Sequence, residues 1–222
     1  HRIWYIPSPQ PIFQRAPSMK VTIIAGSHRA NSQSSKIAKV MSALLEQAPE
    51  HCETTVIDLA DNPLPLWDAS IWSGDEAWQE RLTPISAQLA SSDAFIIIAP
   101  EWHGMAPAGL KNFFLLWGNG ELAHKPALLV GISAGTGGAY PIAELRMSSY
   151  KNNRICYLPE HLIIRNVESV LNAESETNDE EAHRYFQQRL DYCLRQLREY
   201  GLAFRQIRAS GATAPDEFPN GM

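Results

Sequence analysis

Apolar residues in this chain fall into two alternating kinds of segment. Short β-rich runs, VTIIA (21–25), TTVID (54–58), AFIIIA (94–99) and ALLVGIS (127–133), are separated by longer stretches with helical periodicity. This alternation predicts strands joined by crossover helices, and hence a parallel sheet. The first, third and fourth runs are almost continuously apolar, as expected of strands covered by helices on both faces. A fifth strand is expected around ICYL (155–158) or HLIIRN (161–166).

The helical segments are 34–48, with Ile37, Val40, Met41, Leu44 and Leu45 at helical spacing, then 76–92, 108–118, 139–153 and 178–201. Pro141 fits only in the first turn of its helix. The last segment has acids at its head, arginines toward its foot and Gly201 after it, which is the order of helix start and stop signals. Phe113, Phe114, Leu115, Leu116 and Trp117 make a more continuous apolar run than one helix face buries internally. Part of that run is therefore expected against a partner subunit, the rest against the sheet.

A chain of 222 residues suits one domain. Residues 1–18 carry four prolines and no periodicity, so they are expected to be a dispensable arm before a domain spanning 19–209, with a flexible tail at 210–222. The chain is 45% hydrophobic and 19% charged with a net charge of -5, and lacks the basic face that a nucleic-acid partner requires. No apolar stretch approaches the ~20 residues that span a bilayer, so no membrane partner is expected. Cys52, Cys156 and Cys193 are widely separated and odd in number, which supports neither a disulfide framework nor a zinc site and fits a cytoplasmic setting. Cys156, within ICYL, reads as a small hydrophobe in preference to a nucleophile.

In open parallel sheets ligands gather at the carboxyl ends of the strands. The first strand runs into GSHRANSQSS (26–35), where Ser27, Arg29, Asn31, Ser32, Gln33 and Ser34 precede a helix whose free N–H groups attract an anion. The segment reads as a phosphate cradle or as a serine-rich helix cap supplied by Ser32 or Ser34. It is neither a Walker loop nor a dinucleotide fingerprint. The third strand runs into PEWHGMAPAGLKN (100–112): Pro100 stops the strand, Gly104 permits a turn, and Trp102 and His103 offer ring surface to a flat ligand. Trp102 as a core aromatic and His103 as a loop side chain remain open alternatives. Neither His28 nor His103 has metal-ligand spacing to another histidine. The fourth strand runs into SAGTGGAY (133–140), whose bare backbone lets a planar group approach closely or simply forms a turn. A phosphate site, an aromatic rim and an open backbone edge together match the parts of a flavin mononucleotide.

These segments resemble the NADPH-dependent FMN reductase family of flavodoxin-like proteins, which includes quinone, chromate and azo-dye reductases. GSHRANSQS is similar to that family's GSxRxxSxN, PEWHGMAPAGLKN to PEYNGSIPGxLKN, and DLADNPLPLWD (58–68) to DLxxLPLxD; SAGTGGAYPIAELR is similar to its fourth loop. The resemblance covers residues 19 to about 166. It implies a three-layer sandwich with a five-stranded parallel sheet of order 2-1-3-4-5 and helices on both faces. Ser27, Arg29, Ser32, Gln33 and Ser34 would hold the FMN phosphate. Pro100, Glu101, Trp102, His103 and Gly104 would border the isoalloxazine, and Ser133, Gly135, Thr136 and Gly137 its pyrimidine edge. NADPH (or NADH) would be the reductant, and a quinone, azo compound, metal oxyanion or flavin the small-molecule acceptor in a ping-pong cycle. The flavin would carry the chemistry with no dedicated catalytic residue and no metal. The resemblance also implies a homodimer or homotetramer. Ser34, His103 and Met105 depart from the family's Asn, Asn and Ser. A flavodoxin-like electron-transfer module and a non-catalytic binding protein are the alternatives.

Overall fold

Strands β1 (Met19–Ala25), β2 (Cys52–Asp58), β3 (Ala94–Pro100), β4 (Pro126–Ile132) and β5 (Cys156–Ile164) form one all-parallel sheet in the order β2-β1-β3-β4-β5. This computed structural model describes residues 18–61, 63–214 and 218–221. Of the arm expected at residues 1–18, residues 1–17 lie outside the described residues. Helices α1 (Gln33–Gln47) and α5 (Glu180–Ala209) cover one face of the sheet; α2 (Glu76–Ser91), α3 (Ala108–Leu115) and α4 (Ala139–Met147) cover the other.

The apolar runs take this form because alternate side chains of a strand enter opposite layers. Ile23, Ile96, Ile98, Leu128 and Val130 pack among α1 and α5, while Ile24, Phe95, Ile97 and Leu129 pack among α2, α3 and α4. Every residue of β3 and β4 is buried. Each such aliphatic side chain contributes about 1.5–3 kcal/mol of transfer free energy.

Four boundaries differ from the sequence expectation. Both candidates for the fifth strand belong to β5, with Pro159 between them at a bulge: Tyr157 pairs with Ala127 and His161 with Leu129, so β5 advances four positions where β4 advances two. An edge strand tolerates proline there because the bulged position requires no N–H donor for the ladder. Helix α4 stops at Met147, short of residue 153, as Ser149 turns to a left-handed φ of 65° with its hydroxyl donating to Leu145 O. Gly201 does not end α5: it lies buried inside the helix, where a side chain would collide with the Met19 sulfur. The extra turns carry Arg205 and Arg208 to the amino ends of the strands. The apolar run 113–117 is consumed within the chain, since Phe113, Phe114, Leu116 and Trp117 are buried and only Leu115 is exposed. The run bends as the helix ends at Leu115, and that bend turns four of the five side chains inward.

At the amino ends of the strands Asp93 accepts from Arg205 Nε (2.7 Å) and Nη2 (2.5 Å) and from Lys20 N (2.9 Å), with Arg208 3.5 Å away. Nearby, the buried Lys125 ammonium donates to Leu89, Ala90 and Glu121 carbonyls at 2.8 Å each; burial and Arg208 push it down to about 8. It closes the carboxyl end of α2, whose last carbonyls lack helical partners. At the far terminus, Gly221 N donates to Asn152 Oδ1 at 3.2 Å and Phe218 O accepts from Arg154.

Burial alone would raise the Asp93 carboxyl, but the Arg205 and Lys20 bonds and the two guanidinium charges hold it below the usual range. A depressed folded value gives stability that is present above the unfolded pKa of about 4 and lost as pH falls through the folded value. Asp93→Asn should therefore cost about 2 kcal/mol at neutral pH and progressively less below pH ~4. Urea denaturation across that pH range checks this; a constant difference down to strongly acid pH would contradict it.

Candidate functional site

All strands point their carboxyl ends to one edge, so the loops after β1, β3, β4 and β5 converge there. After β1 the chain crosses Gly26, whose N–H donates to Ile98 O at 2.9 Å, and Ser27 Oγ accepts from Arg29 N at 3.2 Å. Asn31 turns the chain at φ 53°, and Ser32 caps α1 by accepting from Ser35 N at 3.1 Å. Of the two candidate caps, Ser32 is the one used. The first-turn N–H groups of Gln33 and Ser34 have no partner inside the helix. Ser34 Oγ and Gln33 Oε1 are buried side-chain atoms without a hydrogen-bond partner among the described residues.

These residues form one wall of a cleft of about 260 Å³. The structure brings together Ser27, Arg29, Ser32, Gln33 and Ser34 with Pro100, Glu101, Trp102 and Ser133 around it. The other expected site residues, His103, Gly104, Gly135, Thr136 and Gly137, do not line this cavity; they belong to the two loops that flank it.

Beyond β3, Trp102 and Met105 exchange both backbone hydrogen bonds, 3.0 and 2.9 Å, around a two-residue turn in which His103 has φ 48° and Gly104 φ 72°. Two consecutive left-handed residues suit Asn-Gly best, and histidine is among the side chains that tolerate the first position. The Asn-to-His departure thus preserves the turn and leaves an exposed imidazole at its tip. The His28 ring meets Trp102 edge-on, centroids 4.5 Å apart at 82°, so the half-buried indole is braced from the first loop.

The loops are buckled to one another. Glu101 Oε2 accepts from Gly138 N at 2.5 Å, and its carboxylate fills the space that a side chain at Gly137 would need. Ser133 Oγ accepts from Gly135 N at 3.2 Å, and Arg165 Nε donates to Thr136 O at 2.6 Å and Gly137 O at 3.2 Å. With those two carbonyls held by Arg165, the 133–138 backbone has a set orientation. Val167 and Glu168 complete the cleft after β5. Their segment is tied to α1 by Lys36 Nζ, which donates to Val167 O (2.6 Å), Val170 O (2.9 Å) and Asn172 Oδ1 (2.7 Å). Burial pushes the Lys36 ammonium below its ordinary value, and Glu168 partly restores it.

The sequence reading missed Arg165, Val167, Glu168 and Lys36, although the strand-end rule applied to the fifth strand reaches three of them. It also left the LKN of residues 110–112 without a role. Asn112 accepts from Trp67 N and donates to Pro65 O, 2.8 Å each, holding the segment after β2. Lys111 pairs with Glu144 Oε1 at 2.9 Å, and Glu144 Oε2 accepts from Ala106 N at 2.7 Å. Burial works against the Glu144 carboxylate, but these two bonds hold its pKa down. They pin the rim turn to α4. The three cysteine thiols are free, with Cys52 and Cys193 buried and Cys156 half-buried; burial raises all three pKa values.

A model of the NADPH-dependent FMN reductase family matches residues 19–168. The chain is 26% identical over 180 residues to a 2-hydroxy-1,4-benzoquinone reductase of Burkholderia sp., covering 78% of this chain and 93% of that protein. It is 31% identical over 132 residues to an FMN-dependent NADPH-azoreductase of Staphylococcus aureus, covering 58% and 68% respectively. Among solved structures, the flavoenzyme NAD(P)H:acceptor oxidoreductase FerB of Paracoccus denitrificans superposes with a TM-score of 0.63 at 23% identity, covering 82% of this chain and 98% of that one. That last likeness establishes the flavodoxin-like fold.

The turn geometry has a measurable consequence. His103→Asn should leave thermal stability within about 0.5 kcal/mol, whereas the β-branched His103→Val should cost about 1–2 kcal/mol in the left-handed region. Paired denaturation curves check this; equal stability of the two variants would contradict the turn assignment.

Proposed function

The chain belongs to the NADPH-dependent FMN reductase family, and on that premise we propose that it holds FMN in the cleft and reduces a small quinone or azo acceptor at the expense of NAD(P)H, in a ping-pong cycle. The observation that carries this reading is the floor of the cleft. Buried Ser34 Oγ and Gln33 Oε1 lack partners among the described residues, beside the open first turn of α1 and the Arg29 guanidinium. That donor set fits a phosphate: hydroxyls, an amide that can turn its NH2 inward, helix N–H groups and one cation. Trp102, braced by His28, offers the flat wall that a tricyclic ring requires.

When bound, FMN supplies the hydride chemistry. The protein's part is to bind, orient and exclude water. Arg29, Ser32 and Ser34 would anchor the phosphate and so fix how far the ring reaches toward the rim. Thr136 and Gly137, whose carbonyls are turned to Arg165, keep their N–H groups for the ring's pyrimidine edge. Fixed backbone dipoles of this kind stabilise negative charge without reorganising. Reductant and acceptor would meet the same rim of Trp102, His103 and Met105, one after the other. The quinone and azo classes come from the relatives; the exposed apolar surface of Met105 and Tyr140 at this rim accommodates either.

The same proposal includes a homodimer or homotetramer. Leu66 (76%), Trp72 (75%), Leu115 (63%) and Met147 (78%) are exposed on elements of the α2–α4 side, and on this reading a second copy covers them. Size-exclusion with light scattering should give a mass of at least two chains; a monomer at micromolar concentration would remove this part.

Three measurements test the reading. FMN should bind, and its visible band should bleach when NADPH is added without air; a protein that ignores FMN ends the proposal. Arg29→Met should weaken FMN binding about tenfold, the scale of one charge-assisted hydrogen bond, while Glu168→Gln should tighten it about two- to fivefold by removing an exposed like charge. Initial-rate plots against reductant at several acceptor concentrations should be parallel, and intersecting lines would exclude a shared rim.

A further inference from the structure

A second concavity, about 220 Å³, runs along the outer edge of β5, between that strand and the amino-terminal half of α5. Arg165, Arg189, His161 and Tyr185 line it. Arg165 ties it to the loop that flanks the cleft, because the Nε that grips Thr136 and Gly137 belongs to a guanidinium whose two terminal nitrogens have no partner among the described residues. Arg189 binds Glu160 at 2.8 Å through one nitrogen. Arg146 Nη2 lies 3.4 Å from Nδ1 of His161, one of the groove's lining residues. Arg146 is spent on the Leu158, Pro159 and Glu160 carbonyls, so within the groove two cations, Arg165 and Arg189, face one carboxylate, Glu160, on a chain whose net charge is -5. Tyr185 is exposed at the lip and packs edge-on to Phe186, centroids 5.4 Å apart. Burial and the nearby arginines push the His161 imidazole below its ordinary pKa, with Glu160 acting the other way.

A ligand that uses both the cleft rim and this groove must be elongated, with a planar group at one end and an anion with an aromatic base at the other. We propose that the groove is the subsite for the adenosine 2′-phosphate end of the reductant, with Arg165 and Arg189 as the cations that make the protein prefer NADPH over NADH. This rests on the FMN-reductase reading given above and adds to it a place for the distal half of the dinucleotide. The two guanidiniums match the fork geometry of a phosphate, and Tyr185 presents a ring face for the adenine. Glu160 holds Arg189 without cancelling Arg165, so the groove stays cationic before a ligand arrives.

The probe is 2′,5′-ADP, compared with 5′-AMP by calorimetry on the FMN-loaded wild-type protein. The 2′-phosphate should improve affinity about tenfold or more, a gain that shrinks as salt rises. In steady state, Arg165→Met and Arg189→Met should each lower the NADPH-to-NADH ratio of kcat/KM about tenfold, and Arg189→Lys should recover part of it. FMN affinity, read from flavin fluorescence in each variant, separates this proposal from its parent: loss of FMN binding by the wild type defeats the parent. Retained FMN with equal affinities for the two probes, or with an unaltered coenzyme ratio in both Met variants, overturns the groove assignment. The wild-type probe comparison decides the matter even where a variant fails to fold.

Discussion

The organising constraint is the complete burial of β3 and β4 on both faces. Two apolar layers clamp these strands, so no polar side chain along their length is available for chemistry, and only their ends meet solvent. The carboxyl edge also carries the helix starts, with their unpaired N–H groups. One physical arrangement thus supplies stability in the middle of the molecule and an anion-seeking surface at its rim.

That rim would be soft if each loop stood alone. Instead the segments after β2, β3, β4 and β5 are each held by a side chain from another part of the chain: Glu101 on Gly138, Arg165 on Thr136 and Gly137, Lys36 on the segment after β5, Glu144 on Ala106, Asn112 on the segment after β2. Most of these bonds end on backbone atoms. The shape of the cleft therefore depends on a few charged and amide anchors, and the loop residues between them are free to differ, as His103 and Met105 do.

Much of the architecture was legible in the sequence because burial on two faces writes a local signal. The strands at 21–25 and 94–99 are nearly pure aliphatic runs, and the cleft residues follow them directly. What was illegible depends on distance along the chain. Lys36 meets Val170 across 134 positions, and Arg165 meets Thr136 across 29, so no short pattern announces either. Gly201 looked like a stop because its local propensity is poor, yet close packing on Met19 and the reach of Arg205 and Arg208 outweigh that propensity. The run 113–117 looked too apolar for one face, but the end of α3 after Leu115 changes which way the later side chains point. The β5 bulge hid one strand as two because Pro159 interrupts the alternation.

The bulge also governs how the molecule meets extended peptides. Leu158, Pro159 and Glu160 offer three successive carbonyls, and Arg146 takes them all up from within the same chain. A foreign β-segment arriving at this border finds neither a regular ladder nor vacant acceptors at that point. Crowding in the cell thus has little opportunity to lengthen the sheet by templated addition at β5.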